Sequence, residues 1–405
     1  MIKQTLTHWQ MPGFATVHSH AFQRALRGLT QRRDTQAGSF WSWRGLMYQL
    51  AEQIDPDQMF QIARFAYAEL AMSGVTAVGE FHYVHHDKSG QPYANRTALS
   101  EAVIEAAKAA GIRICLIRTA YMRGGYQQEV ASAQKRFVDT AVSPILQDIE
   151  KLQTQYAADP MVQIAVAAHS IRGVPLPAIQ ELAQFAGNGA LPFHMHVCEQ
   201  RRELEESLAE YGKTPIQLLA DANVLSNRFV GVHATHLSAD EIQALGQTQS
   251  FVCICRTTER DLGDGLPPIR QLIEAGAQVC VGVDSHACEN AFEEVRSIEF
   301  DERSRLEARH VALEAPALLE VGTRLGYEAC GFTDEWQEDT VSLRKDDASL
   351  AGAQEETAVD TITFHATPRA VDTVSVAGKT IVENGRHVKY DEILAGYLGA
   401  LEQLL

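Results

Sequence analysis

Eight short apolar runs, separated by stretches with helical patterning, constrain what this chain can fold into. They fall at residues 14–18, 75–81, 112–117, 162–168, 191–197, 229–232, 251–255 and 278–283. Unbroken apolarity over such short lengths marks strands buried on both faces, and strands of that kind pair in parallel through crossover helices. The intervening stretches supply the helices. Asp55 can cap one, Pro56 suits its first turn, Gly74 suits its end, and Met59, Ala63, Ala66 and Leu70 form its apolar stripe. Thr214-Pro215 opens another in the same way. Eight strand–helix units predict an α/β fold, a (β/α)8 TIM-like barrel, with functional groups gathered at the C-terminal ends of the strands.

A chain of 405 residues, 45% of them hydrophobic, can fill such a barrel and leave a small appendage. The pattern changes after about residue 330. A polar, turn-rich stretch, 345–356, precedes β-like Thr361-Ile362-Thr363-Phe364 and Val371-Asp372-Thr373-Val374-Ser375-Val376, and Asn384-Gly385 marks a turn. The predicted organisation is a barrel over 11–330, a small β subdomain from 1–10 and 331–390, and a C-terminal helix over 391–405. No 20–50-residue repeat or low-complexity tract is evident.

The 35 basic and 52 acidic residues leave a formal charge of −17, which argues against diffuse attraction to nucleic acid or anionic membrane. An anionic substrate would need locally placed arginines. The start carries no signal-peptide apolar region and no stretch reaches transmembrane length, so a cytoplasmic protein is expected. Seven cysteines, scattered from Cys115 to Cys330, make no disulfide framework. Cys253 and Cys255 share a strand face and are expected to be buried thiols rather than ligands.

Chemistry-bearing residues cluster at the run ends. His18 and His20 lie two apart, so both imidazoles can face one ion. The segment from His196 to Glu199 ends the fifth run, His233 follows the sixth and Asp284 the eighth. Zinc prefers imidazole and carboxylate donors, and a catalytic zinc keeps one position open for water. His18, His20, His196 and Asp284 provide such donors. Glu199, three residues beyond a ligand, can move a proton, and His233 can polarise the bond under attack. For any one of these residues a hydrogen-bonded structural role is the commoner outcome. Their joint placement at four strand ends is what favours a metal centre.

At these residues the chain resembles the amidohydrolase superfamily, in particular its mononuclear deaminase branch, and most closely the formimidoylglutamate deiminase family. The resemblance rests on Pro12-Gly13-Phe14 with His18-Ser19-His20-Ala21-Phe22-Gln23-Arg24, on Phe40-Trp41-Ser42-Trp43-Arg44, and on Glu80-Phe81-His82-Tyr83-Val84-His85-His86-Asp87. It continues through His169-Ser170-Ile171-Arg172, the segment 196–199, His233-Ala234-Thr235-His236, Thr258-Glu259-Arg260-Asp261-Leu262-Gly263-Asp264-Gly265 and Asp284-Ser285-His286. It implies one zinc ion per chain, held by His18, His20, His196 and Asp284. It also implies hydrolysis of N-formimino-L-glutamate to N-formyl-L-glutamate and ammonia, a step of histidine degradation. Glu199 and Asp284 would take the proton of the attacking water, His233 would stabilise the intermediate, and Glu199 would protonate the departing ammonia. Gln23, Arg44, Tyr83 and Arg172 match positions that recognise the glutamate part of the substrate, and an arginine fork suits a carboxylate. The partner expected is therefore a small, anionic, amino-acid-derived substrate, with neither nucleic acid nor membrane, and the protein itself is expected to be a homodimer.

Three features qualify the resemblance. Family members usually carry several tens of residues of β structure before the first barrel strand, whereas about ten precede Pro12 here, so a reduced β-sandwich is expected. Thr258-Glu259-Arg260-Asp261 departs from the expected Thr-Glu-Ala-Asn and is placed near the mouth of the active site. His82, His85 and His86 lack an accompanying carboxylate at ligand spacing, so a loop role near the substrate is expected, and His194 is expected to support the site without binding metal. The competing readings are another deaminase of the same branch, acting on a purine, pyrimidine or guanidino compound, and a non-catalytic barrel protein.

Overall fold

The computed structural model describes residues 2–31 and 40–404. Met1 and Leu405, included in the expected subdomain and terminal helix, lie outside the described residues, as do the side chains of Phe40, Trp41 and Ser42. The strands are β1 (Lys3–Gln4), β2 (His8–Pro12), β3 (Phe14–Ser19), β4 (Val75–His82), β5 (Arg113–Ala120), β6 (Val162–Ala168) and β7 (Phe193–Val197). They continue with β8 (Phe229–His233), β9 (Phe251–Ile254), β10 (Gln278–Val281), β11 (Thr340–Arg344), β12 (Val371–Val376), β13 (Lys379–Glu383) and β14 (Arg386–His387).

β3 to β10 form the barrel as an eight-stranded parallel sheet in sequential order. Every predicted apolar run lies on one of these strands. The sheet closes where the end of β3 meets the segment after β10: Val283 and Asp284 donate backbone N–H to the His18 carbonyl at 3.0 and 2.9 Å, and His20 N–H donates to Asp284 at 3.0 Å. Gly282 lies at this seam. A Cβ there would come within 2.8 Å of both the His18 Cβ and the Cys255 sulfur, so only glycine permits the approach.

Two helices matter for the site, α1 (Phe40–Gln53) and α2 (Pro56–Met72). Asp55 and Gln58 form a reciprocal capping box at the start of α2, Pro56 occupies its first turn, and Met59, Ala63, Ala66 and Leu70 are buried. The terminal helix, Tyr390–Leu404, packs against α2 with the Tyr397 and Phe65 rings stacked at 4.3 Å. No helix among the described residues is long and apolar enough to cross a membrane.

The appendage is one six-stranded antiparallel sheet, β1-β2-β11-β12-β13-β14, in which β2 from the chain start pairs with β11. β2 runs to Pro12, so the sheet reaches slightly past the predicted boundary at residue 10. One expectation fails: Thr361-Ile362-Thr363-Phe364 is not a strand but part of the helix Ala358–His365. Its β-branched residues favour extended backbone, yet Ile362 and Thr363 are buried and the Phe364 ring stacks on Phe300 at 5.6 Å. The Arg296 guanidinium also caps the helix end, donating to the carbonyls of Phe364 and Ala366. Tertiary contacts outweigh local propensity there.

The sheet is tied to the barrel through a buried ion pair. Asp339, just before β11, accepts from Arg113 Nε and Nη2 at 2.8 and 3.0 Å, from Tyr327 Oη at 2.6 Å and from Ala377 N–H at 2.9 Å. Asp339→Ala would leave the buried Arg113 guanidinium with only Glu338 and the Pro160 carbonyl as acceptors, a cost of about 3 kcal/mol, the low end for breaking a buried pair. Chemical denaturation should show a loss of that size, whereas an unchanged midpoint would mean that Asp339 carries none of the tie.

Candidate active site

The four predicted metal donors converge at the C-terminal end of the barrel. Alternation along β3 turns His18 and His20 inward, while Ser19 points the other way and donates to Glu80 Oε2 at 2.6 Å. Glu80 Oε1 accepts from Ala21 N–H at 2.8 Å, which locks the turn after the second histidine. His18 Nε2 lies 3.1 Å from His20 Nε2, 3.1 Å from His196 Nε2 and 3.3 Å from Asp284 Oδ1. All four residues are buried.

Both short nitrogen–nitrogen contacts involve His18 Nε2, which can donate to at most one of the other two rings. His20 Nδ1 faces the Phe81 carbonyl at 2.9 Å and His196 Nδ1 faces the His169 carbonyl at 2.9 Å. A carbonyl only accepts, so both rings carry their proton on Nδ1 and present bare Nε2 lone pairs to the same point. With these lone pairs and a carboxylate facing one point, the cluster suits a shared cation. Burial lowers the pKa of all three imidazoles, to about 3 for His20, so they stay neutral and ready to ligate. The chemistry of the donor set therefore fits a divalent metal ion.

A second cluster, His233, Cys255 and Glu259, has ligand-like spacing but already holds a cation. Glu259 accepts from Arg256 Nη1 at 2.6 Å and from Cys255 N–H at 2.9 Å, and its Oε1 lies 3.2 Å from His233 Nδ1. Burial works to lower the pKa of His233, but Glu199 and Glu259 outweigh it and raise it to about 10. His233 Nε2 lies 3.9 Å from Glu199 Oε1.

His233 and Asp284 both have left-handed backbone, at φ 73° and 55°, as does Cys198 beside Glu199, at φ 53°. Such conformations cost non-glycine residues about 1–3 kcal/mol each and concentrate at functional sites. Here they turn polar side chains off the ends of β7, β8 and the last barrel segment into one cavity.

That cavity is a narrow pocket between the donor cluster and α1. Arg44, Tyr83 and Arg172 line it with Glu199, His233 and Asp284, so the structure brings these sequence-predicted residues together. Arg44 Nε donates to Tyr48 Oη at 2.5 Å, and its Nη2 lies 3.3 Å from Tyr121 Oη. Gln23 sits behind the wall and donates to Tyr83 Oη at 2.9 Å. Arg172 lies between two carboxylates, 3.6 Å from Glu199 and 3.8 Å from Glu203. A wider cavity of about 520 Å³, lined by Trp9, Met11, Leu319 and Trp336, opens among residues that gather no metal-ligand cluster.

Other expectations sort differently. His82, His85 and His86 do not line the pocket. His85 sits against Arg118 and the Thr119 carbonyl, and His86 against the Val138 carbonyl, in a buried ion-pair network with Asp139 and Asp148 that anchors the loop after β4. The role of His85 and His86 is structural because that network takes up their Nε2 atoms. Cys253 and Cys255 are buried thiols, with sulfurs 4.0 Å apart. Glu259 lies inside the wall, while Arg260 faces outward to Glu293 and Asp301. His194 is buried outside the donor cluster.

Three residues of the site received no role from sequence reasoning. His169, immediately after β6, lines the pocket, and its place at a strand end was the available signal. Glu259 and Glu203 lie on helices that follow strand ends, where most glutamates are solvated, and only their burial distinguishes them.

The family model described as "Amidohydrolase family" matches residues 9–336. The formimidoylglutamate deiminase of Pseudomonas aeruginosa is 32% identical over 98% of this chain and 89% of its own length. A 5-methylthioadenosine/S-adenosylhomocysteine deaminase of Thermodesulfovibrio yellowstonii is 24% identical over 94% of this chain and 82% of its own. Among solved structures, an amidohydrolase from Brucella melitensis superposes with a TM-score of 0.90 at 32% identity, covering 98% of this chain and 89% of that one. The zinc complex of an atrazine chlorohydrolase from Arthrobacter aurescens superposes at 0.84 with 25% identity, covering 97% and 88%. With its barrel, its three histidines and aspartate at the strand ends, and a family match over most of its length, this chain belongs to the amidohydrolase family.

Proposed function

We propose that the protein hydrolyses N-formimino-L-glutamate to N-formyl-L-glutamate and ammonia, with one zinc ion held by His18, His20, His196 and Asp284. The observation that carries this reading is a single pocket with a metal-donor cluster at one end and two arginines, Arg44 and Arg172, in its walls. The likeness to the Pseudomonas aeruginosa deiminase supports it, as does the zinc in the Arthrobacter aurescens structure.

A bound zinc ion supplies the positive charge that makes a water acidic near neutral pH. Glu199 takes one proton from that water, Asp284 offers a second acceptor oxygen, and the water oxygen bonds to the formimino carbon. Glu259 accepts the His233 Nδ1 proton, so the imidazole presents its Nε2 edge to the charge that develops at this carbon. Glu199 returns its proton to the terminal nitrogen. The bond from that nitrogen to carbon then breaks as the added hydroxyl gives its remaining proton by way of Asp284 to the nitrogen, so that a carbonyl forms and both water protons leave with the ammonia. Arg44 and Arg172 hold the two carboxylates, and Tyr83, steadied by Gln23, closes the pocket beside His20.

Three measurements test this. Elemental analysis should find about one zinc ion per chain, and chelation should abolish ammonia release that zinc then restores. Turnover by metal-free protein would overturn the metal role, and two ions per chain would point to a binuclear enzyme. Glu199→Gln should keep the metal but lose roughly 10²-fold or more in kcat, the usual size of a general acid–base contribution; near-normal turnover would remove Glu199 from the mechanism. Because a hydrogen bond to a charged group contributes roughly 1.5–3 kcal/mol, Arg172→Met and Arg44→Met should each lower kcat/KM for formiminoglutamate by about one to two powers of ten. If both variants match the parent, or the parent ignores formiminoglutamate and deaminates a neutral heterocycle, the substrate assignment is wrong.

A further inference from the structure

Glu203 is buried in the first turn of the helix Arg201–Tyr211, four residues after Glu199. Its Oε2 accepts the backbone N–H of Glu199 at 3.2 Å and lies 3.8 Å from Arg172 Nη1, while Oε1 has no hydrogen-bond partner among the described residues. Arg172 Nη2 lies 3.6 Å from Glu199 Oε2. One guanidinium thus stands between two carboxylates at nearly equal distances, each just beyond direct hydrogen-bond reach. The Glu199 N–H engages only Oε2, so that contact accounts for one oxygen of the buried carboxylate and leaves its charge to face Arg172 and its second oxygen unpaired. Burying a carboxylate with one oxygen unpaired is unfavourable, so its retention needs another reason.

We infer that Glu203 is a positioning residue that draws Arg172 away from Glu199, leaving Glu199 free to carry protons and Arg172 available to a substrate carboxylate. This rests on the assignment of Glu199 as the proton carrier. Without the second negative charge, the guanidinium closes onto Glu199 and ties up the acid–base group in an ion pair. Burial pushes the Glu203 carboxyl up to about 7, with Glu199 adding to the rise and Arg172 opposing it. The other titratable groups that face it are His233, Tyr126 and Cys198. The restraint on Arg172 is therefore fully present above that value and fades as Glu203 takes up a proton below it.

The test uses the zinc-loaded parent, Glu203→Gln, Arg172→Met and the double variant, with formiminoglutamate as substrate, at pH values about 1.5 units either side of the Glu203 midpoint. On the alkaline side Glu203→Gln should lose about tenfold or more in kcat with metal content unchanged. In the Arg172→Met background the same substitution should leave kcat within about twofold, because the guanidinium that traps Glu199 is gone. On the acid side the parent and Glu203→Gln should converge. Equal losses in both backgrounds, or no loss in the first, would overturn the inference. Crystal structures of the parent and Glu203→Gln on the alkaline side give a readout that does not depend on substrate. Closure of the Arg172–Glu199 gap to a direct hydrogen bond supports the inference and an unchanged gap overturns it, even if formiminoglutamate proves to be the wrong substrate.

Discussion

The seam where β3 meets the segment after β10 is the interaction on which the site depends. Backbone hydrogen bonds from Val283 and Asp284 to the His18 carbonyl bring the two ends of the barrel sheet together, so that Asp284 reaches His18 and His20. Carboxylate and imidazoles then share a buried basin whose donor atoms suit a cation. The glycine at residue 282 leaves the room this approach requires. Loosening the seam would disperse the donors even with every side chain present, because their separation is set by strand register rather than by local conformation.

Around this basin the protein handles charge in two opposite ways. The three ligand histidines are kept neutral by burial, which is what metal binding needs. A few ångströms away, His233, Glu259, Arg256 and Arg172 each sit beside opposite charge that outweighs their burial. Isolated, each of these ions would be costly to bury. As a chain of pairs they can stay charged, and each is held in one orientation by its neighbours. Such preorganisation suits a site that must move protons without rearranging.

The rest of the chain braces this end of the barrel. The His85–Arg118–Asp139–Asp148 network fixes the loop after β4, whose Tyr83 lines the pocket, and Ser19 and Glu80 lock the turn that presents His20. At the opposite end, Asp339 ties the antiparallel sheet to β5 through Arg113, so the two sheets move as one. The left-handed backbone at Cys198, His233 and Asp284 is held between these supports.

The strand count, the barrel and the four metal donors were legible in the sequence because each is written locally. A buried parallel strand is a mostly apolar run, and polar residues at or just past its end mark where it stops, as His18, His196, His233 and Asp284 do. Capping by Asp55, Pro56 and Gly74 is equally local. The remaining features depend on residues far apart in the chain. Thr361–Phe364 became helical because Arg296 and Phe300 pack on it, and local propensity carries no record of either. His82, His85 and His86 were expected near the substrate, but they lie outside the pocket, and Arg118 and Asp139 face His85 and His86. Glu259 and Glu203 read as ordinary helix glutamates; only the tertiary structure buries one against His233 and the other against Arg172, where loss of solvent turns a surface charge into part of the site. Apolar periodicity and turn chemistry are settled within about ten residues, whereas the partner of a buried charge is settled by which strands the closed barrel makes neighbours.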